Sequence, residues 1–207
     1  MSRAFAEVAF TPDVRAIQQQ HGSASSYADF LQPDVDREDR LGPGEMEFIA
    51  RMDGFFQATI SQSGWPYVQF RGGAKGFLKV LDDRTVAYAD FRGNRQYLSV
   101  GNLTGDDRIS LILVDYPNRR RLKIWGRARI IEPQDPLTQK LRNPAYRGLV
   151  ERAVVITIEA LDWNCPAHIP QRLTLQEMQP HLDALRYEVE RLKVENKQLR
   201  ASTGSDL

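Results

Sequence analysis

Residues 55–73 read FFQATISQSGWPYVQFRGG, and their periodicity decides the fold. Two runs rich in aromatic and β-branched residues flank Ser63-Gly64, a turn dipeptide, so the stretch predicts a β-hairpin. The same grammar repeats downstream. FLKVLDDRTVAYAD predicts a second pair of strands around Asp82-Asp83. RISLILVD and RRRLKIWGRARII predict two more, broken at Pro117-Asn118, and ERAVVITIEALDW closes the series. Joined mostly by tight turns, these strands predict an antiparallel sheet closed as a barrel. Strands and helices do not alternate regularly, which argues against a doubly wound parallel fold.

Outward from this core, the first forty residues read as peripheral. FTPDVRAIQQQHG predicts a short helix with Thr11 as N-cap, Pro12 at the first helical position, His21 at its C-terminal end and Gly22 as stop. GEMEFIARMDG predicts another helix, with Met46, Ile49 and Met52 on one side. DPLTQKLRNPAYRG reads as helical or irregular. In the tail, LDALRYEVERLKVENKQL spaces Leu182, Leu185, Val189, Leu192, Asn196 and Leu199 by alternating threes and fours. With Leu182 at position a, one polar residue, Asn196, falls on the seam, the pattern of a parallel two-stranded coiled coil. The other reading is an amphipathic helix docked on its own barrel.

Composition sets outer limits. The 28 Lys and Arg nearly balance the 27 Asp and Glu, so no global field points to nucleic acid or a cationic partner. The longest apolar runs are far shorter than the roughly 20 residues a bilayer needs, and MSRAFAEVAF lacks the apolar core of a signal peptide. A single cysteine, Cys165, fits a reducing compartment. A soluble cytoplasmic protein is the expectation.

Three clusters of donors carry the functional reading. DFRGNRQYLSVGNL places Arg92, Gly93, Asn94, Arg95 and Gln96 between a predicted strand and a helix expected to open at Asn94. A helix N-terminus offers unpaired N–H groups, arginines add bidentate bonds, and glycine lets backbone approach an anion closely. The alternative is a capped helix with solvated arginines. In VQFRGGAKG, Gln69 and Arg71 alternate with Val68 and Phe70 and so share a sheet face, with Lys75 nearby. In RRRLKIWG, Arg121 and Lys123 share a face opposite Leu122 and Ile124. Three such clusters on one small barrel point to a shared anionic, planar ligand.

These segments, in this order from Phe48 to Trp163, resemble the FMN-binding split barrels related to pyridoxamine 5'-phosphate oxidase. The resemblance implies a six-stranded antiparallel split β-barrel, to which the residues themselves add peripheral helices and a long C-terminal helix. It also implies a homodimer with FMN at the subunit interface, and redox chemistry on a small molecule. Gly93, Asn94, Arg95 and Gln96 match the family's phosphate-binding segment, with Asn94 at a small hydroxyl position and Gln96 where lysine is usual. Tyr88 and Ala89 match the strand end beside the flavin. Gln69 occupies the place of the family's strand arginine, with Arg71 two residues on, and Lys75 lies near a flavin-contacting lysine. Arg121 falls where the second subunit often reaches the flavin. Trp163 and His168, in LDWNCPAHIPQRL, echo a C-terminal segment that binds flavin and substrate, and DWNCP-x-H resembles one subgroup.

The boundaries expected are a helical arm over 1–42, the FMN-binding barrel over 43–173, and a C-terminal helix with a short coiled coil and a disordered end over 174–207. No residue stands out as a proton-transfer catalyst, and one cysteine with one histidine falls short of a zinc set. A nucleophilic pair of Cys165 and His168 would need a third, orienting group. The second functional class is a non-catalytic carrier or sensor of flavin or haem, with His168 as the one attractive axial ligand.

Overall fold

The computed structural model describes residues 2–32, 37, 39–164 and 166–203. The chain divides into two compact units, one comprising Met1–Asp115 with Arg119–His168, the other Tyr116–Asn118 with Ile169–Leu207. Cys165 and residues 204–207, the last of the expected C-terminal segment, lie outside the described residues.

The first unit is one antiparallel sheet curled into a split barrel. Its strands are β1 (Gly54–Ile60), β2 (Pro66–Gly72), β3 (Lys79–Asp82), β4 (Thr85–Phe91), β5 (Arg108–Asp115), β6 (Arg120–Ile131) and β7 (Val150–Asn164). They lie in the order β2-β1-β5-β6-β7-β4-β3. There are seven strands where the resemblance implies six: both arms of the second hairpin form as the sequence predicts, the four-residue β3 folding back on β4 as an edge. Ser63-Gly64 turns the first hairpin, with Gly64 at φ 84°, and Gln57 pairs with Gln69 in its centre.

Alternation builds the core. Along β5, Ile109, Leu111 and Leu113 are buried while Ser110 and Ile112 are not. With Phe55, Val86, Tyr88, Leu122, Ile124, Ile156 and Ile158 they fill the barrel, each contributing roughly 1.5–3 kcal/mol by burial. Phe55 anchors the packing, stacked on Phe77 at 5.4 Å and edge-on to Tyr88 at 5.3 Å. The continuous run AVVITI in β7 has a different cause: both faces of this strand are covered. Val154 and Ile156 face the barrel, while Ala153 and Val155 join Ala87, Ala89 and Leu141 beneath helix α6 (Pro136–Leu141).

The arm holds α1 (Arg3–Ala9), α2 (Pro12–Gln20) and α3 (Ala24–Ala28). Helix α2 begins as the sequence predicts: Thr11 Oγ1 accepts from Val14 N–H and Pro12 opens the helix. Helix α1 was not anticipated. It buries Ala4 and Phe5 against Ala160, with Phe5 4.6 Å from the Trp125 ring. Helix α4 (Pro43–Arg51) buries Phe48 and Ile49, and its Glu45 reaches back to accept from Gly42 N–H. Helix α5 (Leu98–Gly105) packs beside β1, its Asn102 donating to Thr59 Oγ1.

In the second unit, α7 (Leu175–Thr203) is one 29-residue helix. Thr174 and Glu177 form a reciprocal capping box: Thr174 Oγ1 accepts from Glu177 N–H, and Glu177 Oε2 from Thr174 N–H. No helix among the described residues is long and apolar enough to cross a membrane.

Candidate anion-binding clefts

Strand β2 presents Tyr67, Gln69 and Arg71 on one face, while Val68 and Phe70 are exposed on the other, as strict alternation requires. The first set faces the end of β4 and the loop after it. Together they line a cleft of about 240 Å³ that holds Gln69, Arg71, Gly93, Asn94, Arg95 and Gln96. Six of the twelve residues matched to the family's site thus meet in one place.

The loop reaches this cleft by an unusual path. Helix α5 starts at Leu98, not at Asn94; its N-cap is Tyr97, at φ 54°, and no side chain caps it. Arg95 is also left-handed, at φ 61°. Two such residues within three positions fold the chain back on itself, a conformation that costs about 1–2 kcal/mol for each residue bearing a Cβ. Asn94 stabilises the turn from within. Its Oδ1 accepts from Gln96 N–H at 3.1 Å, and its amide donates to Gln96 Oε1. The first-turn residues Leu98, Ser99 and Val100 line the cleft, so the uncapped helix end and its positive dipole lie at its wall.

Behind the loop runs a chain of alternating charges. Arg71 approaches the Asp90 Oδ1 at 2.7 Å, and Arg152 stands 3.8 Å from Oδ2. Arg152 also donates to Glu151 at 3.1 Å and lies 4.9 Å over the Tyr97 ring. Glu151 in turn accepts from Arg92 at 2.7 Å and from the Tyr97 hydroxyl at 3.3 Å. A bulge opposite Asp90 and Phe91 makes Glu151 an extra residue in β7 and aims it at the loop. Burial pushes the Asp90 carboxyl above its ordinary range, against the pull of Arg71 and then Arg152. The hydrogen bond from Arg92 holds the Glu151 carboxyl below its ordinary range.

Positive charge is left over. Arg71, Arg92, Arg95 and Arg152 oppose only Asp90 and Glu151, and Arg95 has no ion pair among the described residues. Arg71 Nε is buried without a hydrogen-bond partner, and a Cβ added at Gly93 would meet nothing within 4 Å. With its oxygen engaged by Ser99 at 3.0 Å, Gln69 has its amide NH₂ to offer. A phosphate fits this donor set. The cleft is smaller than the roughly 300–1,000 Å³ of a complete small-molecule site, so it accommodates the phosphate end of a nucleotide-sized ligand rather than all of it.

A second cleft, about 220 Å³, shares Phe91 as a wall and takes in Lys75 and Ala89. Gly76 positions this edge: at φ 69°, with the Ala50 carbonyl 2.8 Å from where a Cβ would sit, no other residue fits there without strain. Lys79, Lys140 and Arg142 join Lys75, and no carboxylate lines the space. It is a second basic site, beside the first.

The remaining matched residues lie elsewhere. The Tyr88 side chain is in the core, donating to Gln57 Oε1 at 2.6 Å, and burial pushes its hydroxyl pKa up. Arg121 sits on the barrel's outer face, paired across the ladder with Val114 and Asn164. Trp163 donates to Glu45, meets Phe48 edge-on and carries the Arg120 guanidinium 4.4 Å above its ring. It lines a third cleft of about 680 Å³, larger but bordered by Asp39, Glu45, Asp83 and Asp162 against the single cation Arg40, a balance unfavourable to a phosphate. His168 is exposed, at φ 64°, and lines none of these clefts.

Sequence reasoning missed Asp90, Glu151 and Arg152. Asp90 had a signal, since it keeps step with the buried Val86 and Tyr88. Glu151 had none, because the bulge that aims it leaves no mark in the sequence.

Comparison with known proteins bears on the whole of this architecture. No curated protein matches the chain. HupZ from Group A Streptococcus superposes with a TM-score of 0.50 at 16% identity, over 59% of this chain and 98% of that one. A general-stress-protein-26 relative of the pyridoxinephosphate oxidase family, from Clostridium acetobutylicum, gives 0.44 at 17%, over 64% and 92%. HutZ, a heme storage protein from Vibrio cholerae, gives 0.42 at 15%, over 59% and 94%. At such identities the likeness to HupZ carries the fold and nothing more. A family model described as pyridoxamine 5'-phosphate oxidase matches residues 45–191, well over half of the sequence, and on that match the chain belongs to the pyridoxamine 5'-phosphate oxidase family.

Proposed function

We propose that this protein is an FMN-binding oxidoreductase acting on a small anionic molecule. One observation carries the reading: Arg71, Arg95 and the uncapped N-terminus of α5 converge on a phosphate-sized cleft that has positive charge to spare. Arg71 and Arg95 would hold the FMN phosphate with charge-assisted bonds, and the Gln69 amide would donate to its neighbouring oxygens. Bound FMN would supply electron-pair transfer, with oxygen or a nicotinamide as the other redox partner. Lys75, Lys79, Lys140 and Arg142 favour an acidic group on the substrate, a phosphate or carboxylate, beside the cofactor. Asp90 fixes Arg71 so that its guanidinium is already oriented before ligand arrives.

The small size of the first cleft supports the expectation that a second copy completes the site, with Arg121 on the outer face as its contribution. That face is apolar where β1, β2 and β5 expose Phe56, Val68, Phe70 and Ile112. The single cysteine favours the cytoplasm as its compartment.

Absorption spectra of the purified protein, followed by titration with FMN, test the reading. A flavin spectrum, or saturable FMN uptake lost in Arg71→Ala and Arg95→Ala, supports it; a colourless protein that takes up no FMN overturns it. A non-catalytic flavin carrier is the second reading. It draws on the acids of the first cleft, Asp90 and Glu151, both committed to arginines. Turnover of NADPH with an acceptor by the FMN-loaded protein would decide for the enzyme. Haem finds less support, since no histidine lines any of the three clefts; a Soret band abolished by His168→Ala would reverse that judgement.

A further inference from the structure

We infer that α7 forms a parallel, in-register, two-stranded coiled coil with a second copy of this chain. The seam residues are the starting point. Leu182, Leu185, Val189, Leu192 and Leu199 are 38%, 64%, 49%, 48% and 59% exposed, so the full length of the stripe is open to solvent in the single chain. Leu182, Val189 and Asn196 fall at a; Leu185, Leu192 and Leu199 fall at d. A second apolar stripe, Tyr187 and Val194, cannot serve as a seam, because Arg191 and Gln198 interrupt it at the alternate positions.

The flanking charges choose the occupant and its direction. Position g carries His181, which precedes the first seam residue, then Glu188 and Glu195, and position e carries Arg186, Lys193 and Arg200. In a parallel pair in register, each g residue faces the e residue five positions on in the other helix. Glu188 then meets Lys193, and Glu195 meets Arg200, on both sides of the seam. An antiparallel pair sets g against g and e against e, bringing Glu to Glu and Arg or Lys to Lys or Arg. The pattern is therefore self-complementary only for two parallel copies.

The existing contacts of Glu188 and Lys193 do not compete strongly. Glu188 pairs with Arg191 at 2.6 Å and Lys193 with Glu190 at 2.7 Å, both as exposed bridges three residues apart, weakened by solvent screening. Asn196 at a favours two strands over three or four and fixes the register, since its amide is satisfied best by its counterpart. Pro180 bounds the coil on its N-terminal side, as it removes one helix hydrogen bond just before Leu182. Three heptads are short for an isolated coil, so the association belongs to the full chain. The inference does not depend on what the barrel binds.

Disulfide trapping in the full-length chain tests it, in a Cys165→Ser background. Leu199→Cys, at d, should cross-link under mild oxidation at least about tenfold faster than Gln198→Cys, on the outer face. Leu185→Cys should do so as well, which an antiparallel pair would not allow at both positions. Charge reversal reads the orientation independently. Adding Glu188→Lys with Glu195→Lys should slow trapping at Leu199→Cys by about tenfold or more. Mixing that protein with one carrying Lys193→Glu and Arg200→Glu should restore it as a heterodimer. Equal trapping at 198 and 199, or trapping indifferent to charge reversal, would overturn the inference.

Discussion

Arg95 concentrates two properties in one residue, a charge with no ion pair among the described residues and a backbone at φ 61°. They separate by substitution. Arg95→Ala and Arg95→Gly both remove the guanidinium, and a hydrogen bond to a charged group contributes about 1.5–3 kcal/mol. Either variant should therefore bind FMN roughly 10–100-fold more weakly, as measured by quenching of flavin fluorescence. Stability should divide them. Glycine tolerates the left-handed conformation and alanine does not, so Arg95→Gly should unfold in urea at higher free energy than Arg95→Ala, by about 1 kcal/mol. Unchanged FMN affinity would mean that the phosphate is held elsewhere. Arg95, Gly93 and Asn94 were legible in the sequence because residue type announces the chemistry. The conformation that delivers them was not. A β-branched run or a proline declares its backbone, whereas arginine and tyrosine say nothing of φ, and so the helix start was read four residues too early.

Elements show the same division between pattern and exception. β1, β2 and β5 were readable because each buries one face and alternates accordingly. The short β3 was readable only through its Asp82-Asp83 turn, because four residues carry too little periodicity of their own. Bulges are invisible to alternation, and two of them in β7 shape the molecule. One, opposite Trp125 and Gly126, brings the Gly126 backbone so close to β7 that a Cβ would lie 2.3 Å from the Thr157 carbonyl oxygen. Backbone cannot yield as a side chain can, so Gly126→Ala should cost roughly 1–3 kcal/mol in chemical denaturation without altering FMN affinity. The other aims Glu151 at the loop. Its carboxyl pKa is lowered in the folded protein, first by the hydrogen bond from Arg92. The stabilisation it gives is accordingly present above the unfolded-state pKa and is lost as pH falls through the lower, folded one. Glu151→Gln should be less stable than the parent at neutral pH. The gap in melting temperature should close on acidification through that window; a gap independent of pH would show that the charge is not what ties the loop.

At the scale of the whole molecule, two apolar surfaces ask for cover and lie in different units of the chain. One is the β1-β2-β5 face, where Phe56 and Phe70 meet 5.3 Å apart and Val68 is 61% exposed. The other is the α7 seam. If both are closed by one partner copy, each raises the effective concentration for the other, and neither break alone should release a monomer at micromolar protein. Val68→Lys sets a charge on the outer face of β2 without touching Gln69 or Arg71, which point the opposite way. Alone, it should weaken the dimer in analytical ultracentrifugation yet leave it detectable, held by the tail. Glu188→Lys with Glu195→Lys should do likewise, held by the barrel. The three substitutions together should give a monomer. FMN affinity discriminates further, because only the barrel interface is expected to complete the cofactor site. It should fall with Val68→Lys and persist when the tail alone is disrupted. A triple variant that stays dimeric would place the interface on neither surface, and a monomer that still binds FMN at full affinity would show that one chain holds the cofactor unaided.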